Sequence, residues 1–131
     1  MNVTPHTVAL CGATGFVGSH LRDHFNAAGY RVVPLGRELF TDTQSDRLTV
    51  VNVAGAPIDR RWSDAVKREL TDSRAGTARR LVAAMQRVGS IRCWICASAI
   101  GYYPSQGCFD DTAETASGDD FLAALCREWE A

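Results

Sequence analysis

Residues 12–18 read Gly12-Ala13-Thr14-Gly15-Phe16-Val17-Gly18, three glycines spaced three apart, directly after the apolar run Thr7-Val8-Ala9-Leu10-Cys11. A bare triplet constrains little, but one set between a strand and a helix constrains the fold strongly. The first glycine permits a tight turn, the second lets backbone approach a pyrophosphate, and the third lets the helix pack close to the strand. The helix that begins there aims its free N–H groups and its positive end at the same point, where an anion is held. The competing explanation is a strand-to-helix turn without a ligand, which leaves three glycines that weaken the chain for no gain. We therefore expect Gly12, Gly15 and Gly18 to bind a dinucleotide.

The rest of the chain alternates strands and helices. After the strand at 7–11, residues 19–28 have helical periodicity, with Val17, Leu21, Phe25 and Ala28 on one stripe and Gly29 as the stop. Strands are expected at 30–35, 48–53 and 91–97; residues 40–47 are polar and read at most as one helical turn. Residues 62–88 form a long helical pattern through Trp62, Val66, Leu70, Leu81, Val82 and Met85, interrupted or bent at Gly76 and ended by Gly89. A Gly/Ser/Asp-rich loop leads to Gly118, and a helix follows from Asp119 with Phe121, Leu122, Leu125 and Trp129 inward. Strands apolar on both faces, alternating with helices, predict an α/β fold: one parallel sheet flanked by helices over residues 1–131.

Charge and cysteine usage narrow the function classes. Fourteen Lys plus Arg against fifteen Asp plus Glu leave a net charge of −1, which argues against nucleic acid or an anionic membrane as partner. No apolar run has the ~20 residues of a membrane span, and the N-terminus lacks a signal-peptide pattern, so a cytoplasmic location is expected. The five cysteines, at 11, 93, 96, 108 and 126, have no disulfide-framework spacing. Cys93-Trp94-Ile95-Cys96 has redox or zinc spacing, but it reads as a buried strand whose cysteines point to opposite faces and pack in the core. His20 and His24, at i and i+4, are expected on the exposed side of the first helix, and no metal site is expected.

The end of the second strand selects the nucleotide. An NAD site places a carboxylate there for the ribose hydroxyls. Here the sequence is Leu35-Gly36-Arg37-Glu38, and Arg37 suits a 2′-phosphate, which favours NADP over NAD; the rival reading makes Glu38 the ribose ligand. Asp119-Asp120 reads as a helix cap, and Asp110-Asp111 as loop solvation. Arg60-Arg61 is either a phosphate clamp or a surface pair, while Arg79-Arg80 reads as a solvated helix face. Tyr102-Tyr103 is either a substrate-side element or a packed aromatic corner.

Several blocks in order resemble one family. They are Gly12-to-Gly18, Asn52-Val53-Ala54-Gly55-Ala56-Pro57-Ile58, Arg61-Trp62, Lys67, Ser73-Arg74 with Gly76-Thr77, Ser98-Ala99-Ile100-Gly101-Tyr102-Tyr103, and Phe121-Leu122 with Cys126 and Trp129-Glu130. Together they resemble the epimerase family of atypical extended short-chain dehydrogenases/reductases, described as nucleoside-diphosphate-sugar epimerase-like. The resemblance implies a Rossmann domain with Gly12, Gly15, Phe16 and Val17 along the pyrophosphate, Arg37 at the adenosine ribose, and Ala54 and Gly55 beside the cofactor. It puts Ser73 where many extended members carry Asn, and Ser98 and Tyr103 on the nicotinamide and substrate side.

Two departures qualify that inheritance. Active members combine a Ser with Tyr and Lys four apart, the lysine lowering the tyrosine pKa for proton transfer. This chain has one lysine, Lys67, and no Tyr-x-x-x-Lys; Phe121 or Leu122 stands near the tyrosine place and Leu125 or Cys126 near that of the lysine. Register against the Tyr103 loop also puts Ala99, rather than Ser98, in the serine place. The second departure is length: only fourteen residues separate Arg37 from Asn52, where the family fits a helix and a strand, and the substrate half that follows in the family is not in this sequence. Two functions remain in view. One is an NADP(H)-binding domain with redox chemistry on a small carbonyl or nucleotide sugar; the other is a catalytically silent nucleotide-binding or protein-interaction module. A shortened sheet with an exposed edge also invites a homo-oligomer.

Overall fold

The computed structural model describes residues 6–36, 48–88, 91–110 and 116–131. Four strands, β1 (Thr7–Cys11), β2 (Arg31–Leu35), β3 (Leu48–Asn52) and β4 (Ile91–Cys96), form one parallel sheet in the order β2-β1-β3-β4. This is the expected Rossmann-type α/β architecture. β1 is central and buried along its whole length, as an apolar strand covered on both faces must be. One face packs Val8, Leu10 and Val51 against Leu21 and Phe25 of α1 (Phe16–Ala27). The other packs Ala9, Leu48 and Val50 against Leu81 and Met85 of α3 (Thr77–Val88).

Helix α1 begins at Phe16, three residues before the sequence pattern suggests, because Gly15 is its N-cap. Val17 and Ala28 of the expected stripe are exposed, and the buried contact on that side of the first turn is Gly18. The helix closes in a Schellman motif: Tyr30 N–H donates to Phe25 O and Gly29 N–H to Asn26 O, with Gly29 at φ +83°.

The pattern at 62–88 resolves into α2 (Asp64–Thr71) and α3, joined without a break by a π turn at Asp72–Gly76. The expected interruption at Gly76 is thus a widened turn. A β-carbon on Gly76 would meet the carboxyl of Asp72, 3.1 Å from its Cγ, an exposed side chain rather than backbone. Asp72 in turn pairs with Arg80 at 3.1 Å across the bulge.

The sheet edges correct two expectations. β2 is an edge strand with Arg31 and Pro34 exposed. Arg31 N–H donates inward to His6 O, so alternation turns the nitrogen of Pro34 outward, where proline has no hydrogen to donate. β4 is the other edge, and Cys93 and Ile95 are exposed, not packed in a core. The apolar sequence of β4 predicted cover on both faces, yet only its Trp94 side meets α3. Residues 40–47 lie outside the described residues. After β4 come a short 3₁₀ turn (Ile100–Tyr102) and α4 (Phe121–Glu130), which packs on that turn and on the π turn. Leu125 and Trp129 of α4 are buried as expected, joined by Ala123 and Cys126, while Phe121 and Leu122 are half-buried.

Candidate dinucleotide and substrate site

The carboxyl ends of the four parallel strands converge on one edge of the sheet, where ligands bind in open α/β folds. At β1 the chain turns through Gly12 at φ +88°, a conformation that favours glycine, and a β-carbon there would lie 2.8 Å from Ala54 N. A β-carbon on Gly18 would collide with the Gly12 carbonyl, at 2.6 Å from its carbon. Both glycines are therefore demanded by backbone against backbone. Gly15 N–H donates to Gly12 O at 3.1 Å and closes the loop.

The start of α1 is bare. Gly15 offers no side chain to cap it and no acidic residue occupies its first turn, so the free N–H groups there are left for an anion from outside. Phe16 and Val17 project into solvent beside them, with Phe16 84% exposed. This cradle fits the pyrophosphate of a dinucleotide. Arg37, expected at the ribose, lies outside the described residues, as does Glu38.

At the end of β3 the buried Asn52 shapes the next loop. Its Oδ1 accepts Ala54 N–H at 3.2 Å and its Nδ2 donates to Cys96 Sγ at 3.5 Å. The π turn then grips the same loop. Ser73 Oγ accepts Ala56 N–H at 3.0 Å and donates to Leu70 O at 3.1 Å, and Arg74 donates to Ala56 O at 3.0 Å. Ser73 therefore ties the π turn to the loop at Ala56, directly after Ala54 and Gly55. The Arg74 guanidinium fills the space beside Gly55 and lies 5.5 Å over the Trp129 ring. Arg74 escaped the candidate residues read from sequence, although a signal existed. It occupies an inward helical phase, four residues after Leu70, where an amphipathic helix is normally apolar.

Ser98 and Tyr103 line one open cavity of about 570 Å3 beyond β4, together with Glu130 of α4. The Ser98 hydroxyl is hydrogen-bonded to Glu130 Oε1, and Tyr103 OH donates to Asp110 O at 3.4 Å. Tyr103 also stacks on Phe109 and meets Tyr102 edge-on, so the aromatic corner is present alongside the cavity. The lone lysine, Lys67, sits 5.4 Å over the Phe121 ring, at the start of α4. Arg60 is held by Glu69 at 2.7 Å and by Pro57 O, and Arg79 pairs with Glu128 on α4 at 2.7 Å. His20 and His24 are both exposed, and the His20 ring bonds Phe16 O at 2.7 Å. Asp120 caps α4, accepting Ala123 N–H at 2.8 Å.

Three thiols sit near this edge in poor solvent. Burial pushes the pKa of Cys11, Cys96 and Cys126 up, the Asn52 amide opposing it at Cys96 and Arg74 opposing it at Cys126. Burial likewise lowers the pKa of Arg74. No helix among the described residues is long and apolar enough to cross a membrane.

The profile of the NAD dependent epimerase/dehydratase family matches residues 8–121. The chain is 34% identical over 140 residues to an epimerase family protein of Mycobacterium leprae, covering 94% of this chain and 45% of that protein. It is 30% identical over 151 residues to the chloroplastic epimerase family protein SDR39U1 homolog of Arabidopsis thaliana, covering 95% of this chain and 43% of that one. The crystal structure of human epimerase family protein SDR39U1 with NADPH superposes with a TM-score of 0.76 at 27% identity, over 95% of this chain and 47% of that chain. This sequence thus spans rather less than half the length of the curated relatives it matches.

Proposed function

This chain belongs to the NAD dependent epimerase/dehydratase family, and from that premise we propose that it binds NADP(H) and presents it to a small carbonyl compound or nucleotide sugar. The observation that carries the reading is the cradle at Gly12, Gly15 and Gly18, shaped at Gly12 and Gly18 by backbone contacts that no β-carbon can enter and capped by no side chain of its own. Phe16 and Val17 flank the pyrophosphate, Ala54 and Gly55 line the path beyond it, and Ser73 holds that path through Ala56. Arg37 receives the 2′-phosphate, a preference supported by the human relative's structure with NADPH. Bound there, the nicotinamide ring supplies hydride transfer.

Ser98 and Tyr103 act on the substrate side, their hydroxyls orienting the reacting oxygen in the cavity they share. A second reading, a silent nucleotide-binding module, is favoured by one observation: the single lysine lies over Phe121. The protein works in the cytoplasm and pairs with a second copy through the exposed edge of β4.

Titration with NADPH and NADH tests the cofactor assignment. NADPH should bind more tightly, and Arg37→Glu should remove the difference. Failure of both nucleotides to bind below about millimolar, about −4 kcal/mol, ends the reading. Turnover on carbonyl and sugar-nucleotide panels that is lost in Tyr103→Phe supports catalysis; tight NADPH binding without turnover supports the silent module.

A further inference from the structure

Between the end of β4 and α4 lies a cavity of about 470 Å3. Ile58, Ile100, Leu122, Leu125 and Trp129 make its walls largely apolar, and the cation of Arg74 lies on that wall. The guanidinium donates to Ala56 O, to Ser73 Oγ at 3.4 Å and to Leu70 O at 3.5 Å, all neutral acceptors. Among the described residues no carboxylate stands within ion-pair distance of it, and its Nε–H makes no hydrogen bond. Asp120, the other charged residue on the wall, gives its Oδ1 to the Ala123 N–H.

A half-buried guanidinium facing an apolar cavity, hydrogen-bonded to carbonyls and a hydroxyl and lying over the Trp129 ring, has lost solvation that no carboxylate among the described residues restores. Arginine nevertheless stays ionised, and its planar fork matches a carboxylate. The position adds a reason for an anion here. The guanidinium occupies the space where a side chain on Gly55 would lie, and the cofactor is proposed to pass beside Gly55, so a ligand held by Arg74 would sit next to the cofactor path.

We propose that this cavity, which shares Ala99, Ile100 and Tyr103 with the one beside Ser98, seats the non-reacting end of the substrate and selects a small carbonyl compound that is also an organic acid, with the carboxylate on Arg74 and the hydrocarbon part against Leu122, Leu125 and Ile58. The proposal rests on the dinucleotide reading for the chemistry that follows, and on Arg74 and its cavity for the substrate class.

The test titrates the 131-residue chain with hexanoate and with its uncharged counterpart hexanamide by ligand-observed NMR, and separately with NADPH. Hexanoate is expected to bind at least about 10-fold more tightly than hexanamide. Arg74→Gln should abolish that preference. Leu122→Trp, which fills the cavity without touching the partners of the guanidinium, should weaken hexanoate by about 10-fold or more. Equal binding of the two probes, binding of neither, or a preference that survives Arg74→Gln overturns the proposal. If circular dichroism shows that Arg74→Gln does not fold, Leu122→Trp decides: hexanoate binding unmoved by it places the acid elsewhere and overturns the proposal. NADPH binding without carboxylate preference removes the organic-acid pocket and leaves the dinucleotide reading standing; carboxylate preference without NADPH binding does the reverse.

Discussion

The Arg74 guanidinium stands where any side chain on residue 55 would have to go: a β-carbon on Gly55 lies 2.9 Å from Arg74 Cζ and 3.2 Å from Nε. An arginine end can swing aside in open solvent, but this one is held by Ala56 O and by the Trp129 ring. Gly55→Ala should therefore cost about 1–3 kcal/mol, the range of an overpacked site. The same substitution in an Arg74→Met background should cost under about 0.5 kcal/mol more than Arg74→Met alone. Urea unfolding of the four proteins in this cycle measures the coupling, and an unchanged penalty in the second background would refute the contact as its cause.

At the nucleotide loop the obstruction is backbone, which has nowhere to move. Gly12→Ala and Gly18→Ala should each destabilise by about 2–3 kcal/mol and weaken NADPH at least 10-fold. Gly29→Ala is the control. Its φ of +83° makes alanine strained, about 1 kcal/mol, but nothing lies within 4 Å of the added carbon and the loop is remote from α1's start. Stability should fall while nucleotide affinity holds, as read by parallel chemical denaturation and fluorescence titration.

The cysteines set an alkaline limit. Cys11, Cys96 and Cys126 have pKa values raised by burial, so the native state holds their protons where the unfolded chain has begun to release them. Their contribution is complete below the unfolded thiol pKa of about 8.5 and is lost as pH rises toward the higher native values. Unfolding free energy measured from pH 7 to 10 should decline above about 8.5, and Cys96→Ala should flatten the decline. Ellman's reagent should label the exposed Cys93 and Cys108 at once, with Cys11 and Cys126 reacting only on unfolding.

Helix α4 depends on one carboxylate at its start. Asp120→Ala removes the acceptor for Ala123 N–H and should cost about 1 kcal/mol, whereas Asp119→Ala, one residue earlier and exposed, should fall within about 0.5 kcal/mol of no change. Thermal melts of the two variants side by side make the comparison. Equal effects would mean that the cap contributes nothing beyond general surface charge.

The strands, the glycine loop and the cap at Asp120 were all legible in the sequence because each depends on residues close together in the chain, and the alternation of strands with helices then implied the parallel sheet. Alternating apolar runs identify strands, and glycine at φ +88° identifies its own turn. Cover was not legible. The sequence of β4 is as apolar as that of β1, but β1 has α1 packed over one face and α3 over the other, whereas β4 meets α3 on one face. Cys93 and Ile95 are exposed for that reason, which no local pattern encodes. The glycine turn after β1 was legible, and the Ser98–Tyr103 segment brings its two side chains to one cavity. The grip of Ser73 and Arg74 on Ala56 was not: the phase of Arg74 marks it as inward-facing, but not which loop 18 residues away it holds, nor that the turn holds one residue more.

That extra residue at Asp72–Gly76 has a consequence for how such a site can arise. Each residue of an α-helix advances the next side chain by about 100°, so a surplus residue offsets everything downstream by that angle while both flanking helices keep their own hydrogen bonding. Leu70 and Leu81 can each stay on the core, and the segment between them is free to aim elsewhere. The aim of Ser73 and Arg74 thus comes from one residue's worth of helical phase, with the hydrogen bonding of α2 and α3 unchanged on either side.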